Sequence, residues 1–168
     1  MKPNETEYHP YFKKYIDVAS NDDLLQQLTN SGFEFEKFVQ KISSEKADYK
    51  YAENKWTIKQ LLIHLIDTER VFAYRALAFC RGEKQCLQGF DENEYADNSK
   101  PENRTMENII DEFLAVRNAT IHLFKNLDDK DLQKTGIAND ASISVRAIGY
   151  ILVGHQIHHF KIITEKYL

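Results

Sequence analysis

Histidines near the C-terminus are the residues of this 168-residue chain whose spacing points most directly to chemistry. Three of the six histidines, His155, His158 and His159, lie within five consecutive positions. His155 and His159 continue the three- and four-residue steps of the neighbouring apolar positions, which places them on one helix face. An imidazole on an inward face must find partners for its ring nitrogens, because an unpaired buried polar group costs about 1–3 kcal/mol. The same spacing lets one helix offer two nitrogens to a single metal ion.

A pattern of apolar residues at helical spacing predicts four long helices, and a further histidine lies in the second of them. The helices are expected at about 21–43, 57–81, 105–126 and 144–166. Thr57 and Gln60 form a capping-box pattern at the start of the second helix, and Gly82 marks its end. His64 lies about seven residues inside this helix.

The long connection between the second and third helices, residues 82–104, bears on the order of the helices. A 25-residue helix is about 37 Å long, and a connection of this size can run back along it and leave the two helices parallel. In the resulting up-down-down-up order the second and fourth helices are antiparallel, so His64, His155 and His159 lie at the same depth. An up-down-up-down order would place them at opposite ends. The sequence therefore predicts an all-α, up-down-down-up four-helix bundle, with residues 1–168 as a single domain.

These three histidines could supply three nitrogens to one divalent ion and leave a position open for water or substrate. Three protein ligands with an open position are typical of a catalytic metal site. Imidazole suits zinc, nickel, copper or iron, and the spacing does not choose among them. A bound ion would lower the pKa of a coordinated water or thiol. The alternative is that these are core or interface histidines whose nitrogens are satisfied by hydrogen bonds.

Asp67 is the candidate catalytic residue, because it lies one helical turn after the histidine of the second helix. Its carboxylate could orient an imidazole or take a proton from metal-bound water. The alternative interpretation is a solvated charge that pairs along the helix with Arg70. His158 is a candidate for a further ligand or for an outer partner of one, whereas His9 and His122 are expected to be surface or packing residues.

The composition argues against several functional classes. A formal charge of −4 and a pI of about 5.9 give no basic surface for nucleic acid. The N-terminus lacks the apolar run of a signal peptide, and no stretch of about 18 apolar residues predicts a membrane span, so a cytoplasmic protein is expected. Cys80 and Cys86 cannot form a disulfide framework and have no histidine at ligand spacing, so neither is expected to be a catalytic thiol.

Two stretches of the chain resemble the DinB-like (YfiT) family. The run Lys55–Arg70, followed by Val71–Arg75, looks like the second helix of that family. Gly89-Phe90-Asp91 and Gly154–His159 match the family's loop and last helix. The resemblance extends over nearly the whole chain from about Tyr8.

The resemblance implies a bundle of up-down-down-up order that is commonly dimeric and holds a divalent metal, with zinc or nickel expected, on three histidines. Position by position, those ligands fall on His64, His155 and His159. Some members of the family attach low-molecular-weight thiols such as bacillithiol to electrophiles, so a metal-dependent thiol transferase acting on a small molecule is the first hypothesis. A hydrolase that uses the same metal is the second, and a non-catalytic, metal-stabilised bundle is the third. A homodimer is expected, with no nucleic-acid or membrane partner.

Overall fold

The computed structural model describes residues 1–168 as a helical protein with one small hairpin. The helices are α1 (Lys13–Val18), α2 (Leu24–Val39), α3 (Ser44–Ala47), α4 (Ile58–Cys80), α5 (Glu92–Asp97), α6 (Met106–Lys125), α7 (Asp129–Gln133) and α8 (Val145–Lys166). The antiparallel strands are β1 (Thr135–Ala138) and β2 (Ala141–Ser144), and 3₁₀ turns cover Glu5–Glu7, Pro10–Phe12 and Pro101–Asn103. None of the helices combines the length and apolarity that crossing a membrane requires.

The four long helices, α2, α4, α6 and α8, lie within the ranges predicted from periodicity, and a polar side chain caps the start of each. Asp23, Thr57, Thr105 and Ser144 accept hydrogen bonds from backbone N–H groups of the first turn. At α4 the predicted capping box is present, because the side chain of Gln60 also accepts from the Thr57 N–H at 2.9 Å. These caps stop each helix from extending into the preceding connection.

Contacts between α2 and α8 show that these two helices are parallel. Close to their starts, Leu24 lies against Gly149. Near their ends, the rings of Phe38 and Phe160 stack with centroids 4.0 Å apart. Both helices therefore advance in the same direction along the bundle.

The other two helices run against this pair. The hydroxyl of Tyr167, just after α8, donates to the Trp56 carbonyl just before α4 at 2.7 Å, so α8 ends where α4 begins. On α6, Arg117 donates to the Leu28 carbonyl, and the ring of Phe113 stacks on Phe35, so α6 runs antiparallel to α2. The order is up-down-down-up, and the predicted all-α bundle is confirmed.

The connections 82–104 and 127–143 are more ordered than the sequence alone indicated. The first contains α5, whose Ala96 carbonyl accepts from the side chain of Gln60 on α4 at 3.1 Å. The second contains α7 and a β-hairpin, in which Asn139 and Asp140 adopt positive φ angles of 50° and 59° at a tight two-residue turn. An isolated bridge between Leu87 and Ala138 joins the two connections beside α4.

A buried polar network crosses the centre of the bundle and includes one residue from each long helix. Arg117 of α6 makes two 2.8 Å hydrogen bonds to the carboxylate of Glu69 on α4, and both side chains are only 2% exposed. Arg117 also donates to the hydroxyl of Ser31 on α2. The Ser31 carbonyl in turn accepts from the side chain of Gln156 on α8 at 2.7 Å. All four helices are thus fixed in rotation at one level.

We predict that Arg117→Met lowers the free energy of unfolding by about 3–5 kcal/mol, because it leaves the Glu69 carboxylate buried without a counter-ion. Urea denaturation followed by far-ultraviolet circular dichroism measures the loss. The Glu69→Leu, Arg117→Met double variant should regain much of the stability, since no unpaired charge remains.

The matched control is Lys161→Met, which removes an exposed i,i+4 ion pair whose Lys161 Nζ lies 3.8 Å from the Glu165 Oε1. This variant should lower the free energy of unfolding by less than about 1 kcal/mol. If Arg117→Met costs no more than this control, the network does not stabilise the bundle.

Candidate metal centre

The antiparallel packing of α4 and α8 brings His64, His155 and His159 together. The Nε2 atom of His155 lies 3.2 Å from the Nε2 of His64 and 3.0 Å from the Nε2 of His159. One nitrogen of each imidazole lies within 4.8 Å of the others. Two nitrogens that are each about 2.0–2.1 Å from a tetrahedral zinc ion are about 3.3 Å apart. The spacing of these nitrogens is therefore close to what a single ion requires.

Hydrogen bonding alone does not satisfy this cluster. A neutral imidazole nitrogen carries either one N–H or one lone pair in the ring plane. The Nε2 of His155 can therefore make one good hydrogen bond, yet two other Nε2 atoms lie at hydrogen-bond distance from it. A cation in contact with all three lone pairs resolves the conflict. The donor set fits a divalent transition metal, because imidazole is one of the ligands that such ions prefer.

Burial keeps these three histidines neutral, which is the state in which imidazole binds a metal. Desolvation lowers the pKa of His64 to about 4 and that of His159 to about 3. The pKa of His155 is lowered well below its usual value, first by burial and then by the neighbouring His159 and His64. At neutral pH each imidazole of the cluster therefore has one unprotonated ring nitrogen that can bind a cation.

The other ring nitrogens have few partners. The Nδ1 of His64 lies 3.5 Å from the hydroxyl oxygen of Thr68, one turn further along α4. The Nδ1 of His159 is buried and has no hydrogen-bond partner in the protein. Because a metal on Nε2 requires the proton to be on Nδ1, Thr68 is the protein group placed to orient the His64 ring.

Aromatic side chains and one glycine position the imidazoles. The Trp56 ring lies against His64 with centroids 4.9 Å apart, and the Tyr15 ring meets His155 edge to face at 5.2 Å. Tyr15 reaches α8 because position 154 is glycine, where a Cβ atom would lie 1.9 Å from the Tyr15 carbonyl oxygen. Gly154 thus allows α1 to pack directly on the helix that carries two of the histidines.

The histidine cluster forms part of the wall of a cavity of about 700 Å³. This volume is typical of small-molecule sites. The cavity lies between α4, α8, the N-terminal segment, the 82–104 connection and the hairpin, and four of its lining residues are Phe12, Phe72, Phe90 and Ile151. A substrate could therefore reach the histidine nitrogens through a partly apolar chamber.

The structure does not bring Asp67 to this cavity. Asp67 lies 3.9 Å from Arg70, whose guanidinium also pairs with Glu112 of α6 at 2.6 Å. Burial raises the pKa of the Asp67 carboxyl, and the charge of Arg70 opposes the shift. Its role as a base stays a prediction, with the carboxylate placed next to Arg70 rather than among the residues that line the cavity.

The remaining histidines and both cysteines lie outside the cluster of three. His158 lines the cavity and packs edge to face on Tyr15 at 5.3 Å. The exposed His9 also lines it, and its Nδ1 accepts from the Tyr11 N–H at 3.2 Å. His122 is exposed on α6. Cys80 is buried, Cys86 is exposed, and neither lines the cavity.

Sequence reasoning did not assign the cavity residues Thr68, Phe72 and Arg75 to the site. A signal for them was present, because steps of four, four and three residues from His64 place all three on one face of α4. The N-terminal and hairpin residues that line the cavity carried no such signal, because they are distant in sequence from the histidines and share no helix with them.

The fold and the site define a class of protein, a four-helix bundle of up-down-down-up order in which two antiparallel helices bring three buried imidazoles to a cavity. Residues 27–163 match the DinB superfamily, and the chain belongs to this superfamily.

Among solved structures, YfiT from Bacillus subtilis matches with a TM-score of 0.78 and 18% sequence identity. The match covers 98% of this chain and 90% of that chain. YfiT is described as a probable metal-dependent hydrolase with an unusual four-helix bundle topology. At this identity the likeness shows a shared fold. A search of the curated proteins gives no significant match.

We predict that the chelator-treated protein becomes less stable as the pH falls from 6.5 to 5. The folded state holds His64 and His159 with pKa values of about 4 and 3, whereas in the unfolded chain they titrate near 6.5. The unfolded chain therefore binds more protons in this window, and this protonation favours the unfolded state increasingly as the pH falls. Urea midpoints measured across the window test this.

A His159→Phe variant should show a shallower pH dependence, because one buried titrating group is gone. His122→Asn, which removes an exposed imidazole, is the control and should leave the dependence unchanged. A urea midpoint of the wild type that stays constant from pH 6.5 to 5 would contradict the neutral burial of the cluster.

Proposed function

We propose that the chain is a metal-dependent transferase that attaches a low-molecular-weight thiol to an electrophilic small molecule, with His64, His155 and His159 as ligands of one divalent ion. The observation that carries this proposal is the convergence of three neutral Nε2 atoms on the wall of a 700 Å³ cavity. Three protein ligands leave at least one coordination position for a reacting group. Zinc and nickel are the proposed ions.

The ion, when bound, acts as a Lewis acid that lowers the pKa of a thiol or water in the open position. The protein supplies the three lone pairs, and Trp56 and Tyr15 hold the rings of His64 and His155 in place. The lining aromatic rings exclude water from part of the cavity and provide apolar surface for an organic substrate.

The composition of the cavity wall favours a thiol over water as the nucleophile. Water activation in metal hydrolases commonly relies on a carboxylate base beside the ion. The only carboxylate among the lining residues is Glu92, which is exposed at the first turn of α5. A thiol, with an ordinary pKa near 8.5, needs a smaller shift than water to ionise at neutral pH. The cavity volume also leaves room for an electrophile beside a small thiol.

Hydrolysis is the second candidate, and the description of YfiT as a probable metal-dependent hydrolase favours it. The same three histidines and cavity would serve both reactions, and Glu92 or the more distant Asp67 would then be the candidate base. The homodimer implied by the family resemblance stays a prediction, as does the cytoplasmic location.

We predict that His64→Ala, His155→Ala and His159→Ala each lose most of the bound metal. Each substitution removes one of three ligands, and loss of a ligand from such a set weakens the site sharply. Elemental analysis of the purified proteins, together with circular dichroism to verify folding, measures this. His122→Ala is the control, because that histidine is exposed and distant in sequence from the cluster.

Full metal retention in His64→Ala would rule out a site shared by α4 and α8. His158→Ala separates a direct ligand from a cavity-wall residue, since only a ligand should lower the metal content to the same extent as the other three.

We predict that a small thiol changes the spectrum of the cobalt-substituted protein. Thiolate binds borderline divalent ions more strongly than water does, so a sulfur-to-cobalt charge-transfer band should appear on addition of bacillithiol or glutathione. The test uses the Cys80→Ser, Cys86→Ser double variant, because either protein thiol could produce the same band. A coupled assay then follows the transfer of that thiol to a model electrophile.

No change in the cobalt spectrum with either thiol, together with metal-dependent hydrolysis of an ester or amide, would favour the hydrolase. If neither reaction occurs and the metal has no exchangeable ligand, the metal serves only the stability of the bundle.

A further inference from the structure

One buried cation in the cavity wall lacks an anionic partner. Arg75 of α4 is only 6% exposed, and its sole hydrogen bond to the protein runs from Nη2 to the Gln88 carbonyl at 2.9 Å. A guanidinium has five N–H donors, so most of its hydrogen-bonding capacity remains free. Its carbon lies 4.9 Å from the centroid of the Phe72 ring, which covers one face and leaves the N–H edge available.

The other arginines differ from Arg75 in a consistent way. The four that pair with carboxylates are Arg70, Arg104, Arg117 and Arg146. Arg81 makes no ion pair and is exposed at the end of α4. Arg75 alone is both buried and without a carboxylate. A desolvated charge left in this state is costly unless an anion joins it.

The charges around the cavity also favour an anion. Two cationic side chains line it, Lys14 and Arg75, against the single carboxylate of Glu92. Lys14 makes no ion pair and lies over the rings of Tyr11 and Tyr15 at 4.4 and 4.8 Å. Glu92 is exposed and pairs with neither cation. The chain as a whole carries a formal charge of −4, so this wall is locally positive in an acidic protein.

The position of Arg75 relative to the histidines limits the shape of the ligand. Arg75 lies eleven positions after His64, which corresponds to about 16 Å along the helix axis. Side chains on a helix lean toward its N-terminus, and the contact with Phe72 shows that Arg75 does so. The guanidinium therefore lies closer to the histidine cluster than the backbone spacing suggests. Phe72 and the hydroxyl of Thr68 lie on the same face between them.

We propose that Arg75 forms an anion subsite, and that the substrate of the cavity is an elongated molecule with a carboxylate or phosphate at the Arg75 end, an apolar middle and its reacting atom at the histidine end. The inference deepens the proposed function, because it assigns the charge and polarity of a molecule that binds in the same cavity. The planar N–H edge of arginine matches either oxyanion in a bidentate geometry.

Calorimetric titration with matched ligands tests the subsite. The probes are 4-phenylbutyrate, its uncharged amide 4-phenylbutyramide, and 3-phenylpropyl phosphate, each titrated into the purified protein before and after chelation of metal. We expect at least one of the two anions to bind about 10- to 100-fold more tightly than the amide, since hydrogen bonds to a charged group account for a factor of this size. Whichever of them binds more tightly identifies the preferred anionic group. Trp56, the only tryptophan, lines the cavity and gives an independent fluorescence signal.

The preference should persist after chelation, disappear in Arg75→Gln and survive in part in Arg75→Lys, which keeps the charge but loses the planar edge. Arg81→Gln is the matched control on the same helix, and it should leave the preference intact. Circular dichroism verifies that each variant is folded. Equal binding of both anions and the amide, or an anion preference that Arg75→Gln retains, would overturn the subsite.

The outcomes also separate this inference from the proposed function. An Arg75-dependent preference in a protein without thiol transfer would retain the subsite and remove the transferase. Transfer activity in a protein that binds the acid and the amide equally would retain the transferase and remove the subsite.

Discussion

The buried pair between Glu69 and Arg117 is the interaction on which the rest of the arrangement depends. Apolar stripes alone leave helices free to rotate and slide, because many packings bury a similar area. A bidentate ion pair tolerates very little of either movement, and this one lies where neither side chain can be hydrated. Its extension through Ser31 to Gln156 carries the constraint to α2 and α8. A packing of the helices that left any of these groups buried and unpaired would be less stable, so the network selects one relative position of the four helices.

That constraint reaches the histidine cluster through the chain itself. Gln156 follows His155 directly and faces Ser31 of α2, so His155, about 100° around the helix, faces α4. His64 lies five residues before Glu69 on α4, and the ion pair fixes the depth of that helix against α6. The imidazoles therefore meet because the polar network sets the rotation of one helix and the depth of the other. A site of this kind needs rigid support, since small displacements change metal geometry.

Much of this was predictable from the sequence, and the part that was not has a physical reason. Helical periodicity and one long connection predicted the topology, and that topology places His64 at the same depth as His155 and His159. Arg117 and Glu69 also interrupt apolar stripes, but helical periodicity does not predict which buried charged residue pairs with which across two helices. Asp67 illustrates the same limit: three residues are less than one full turn, so its carboxylate is rotated about 60° from His64 and lies beside Arg70, which pairs with Glu112 of α6. The N-terminal aromatics and the hairpin reach the cavity through contacts distant in sequence, which periodicity does not encode.

Hydrogen-bond satisfaction distinguishes the structural polar groups of this bundle from those available for binding. Arg117 directs its donors to a carboxylate, a hydroxyl and a carbonyl, and no part of it faces open space. Arg75 is almost as deeply buried as Arg117, but it has one carbonyl partner and lines a cavity. Likewise, the Nε2 of His155 lies at hydrogen-bond distance from two other Nε2 atoms but can make only one good hydrogen bond. Buried polar groups without partners lower stability, so ligands that complete their bonding would account for their presence on the cavity wall. The proposed metal and anion would then bind at two ends of one cavity, the metal between α4 and α8 and the anion at Arg75 of α4.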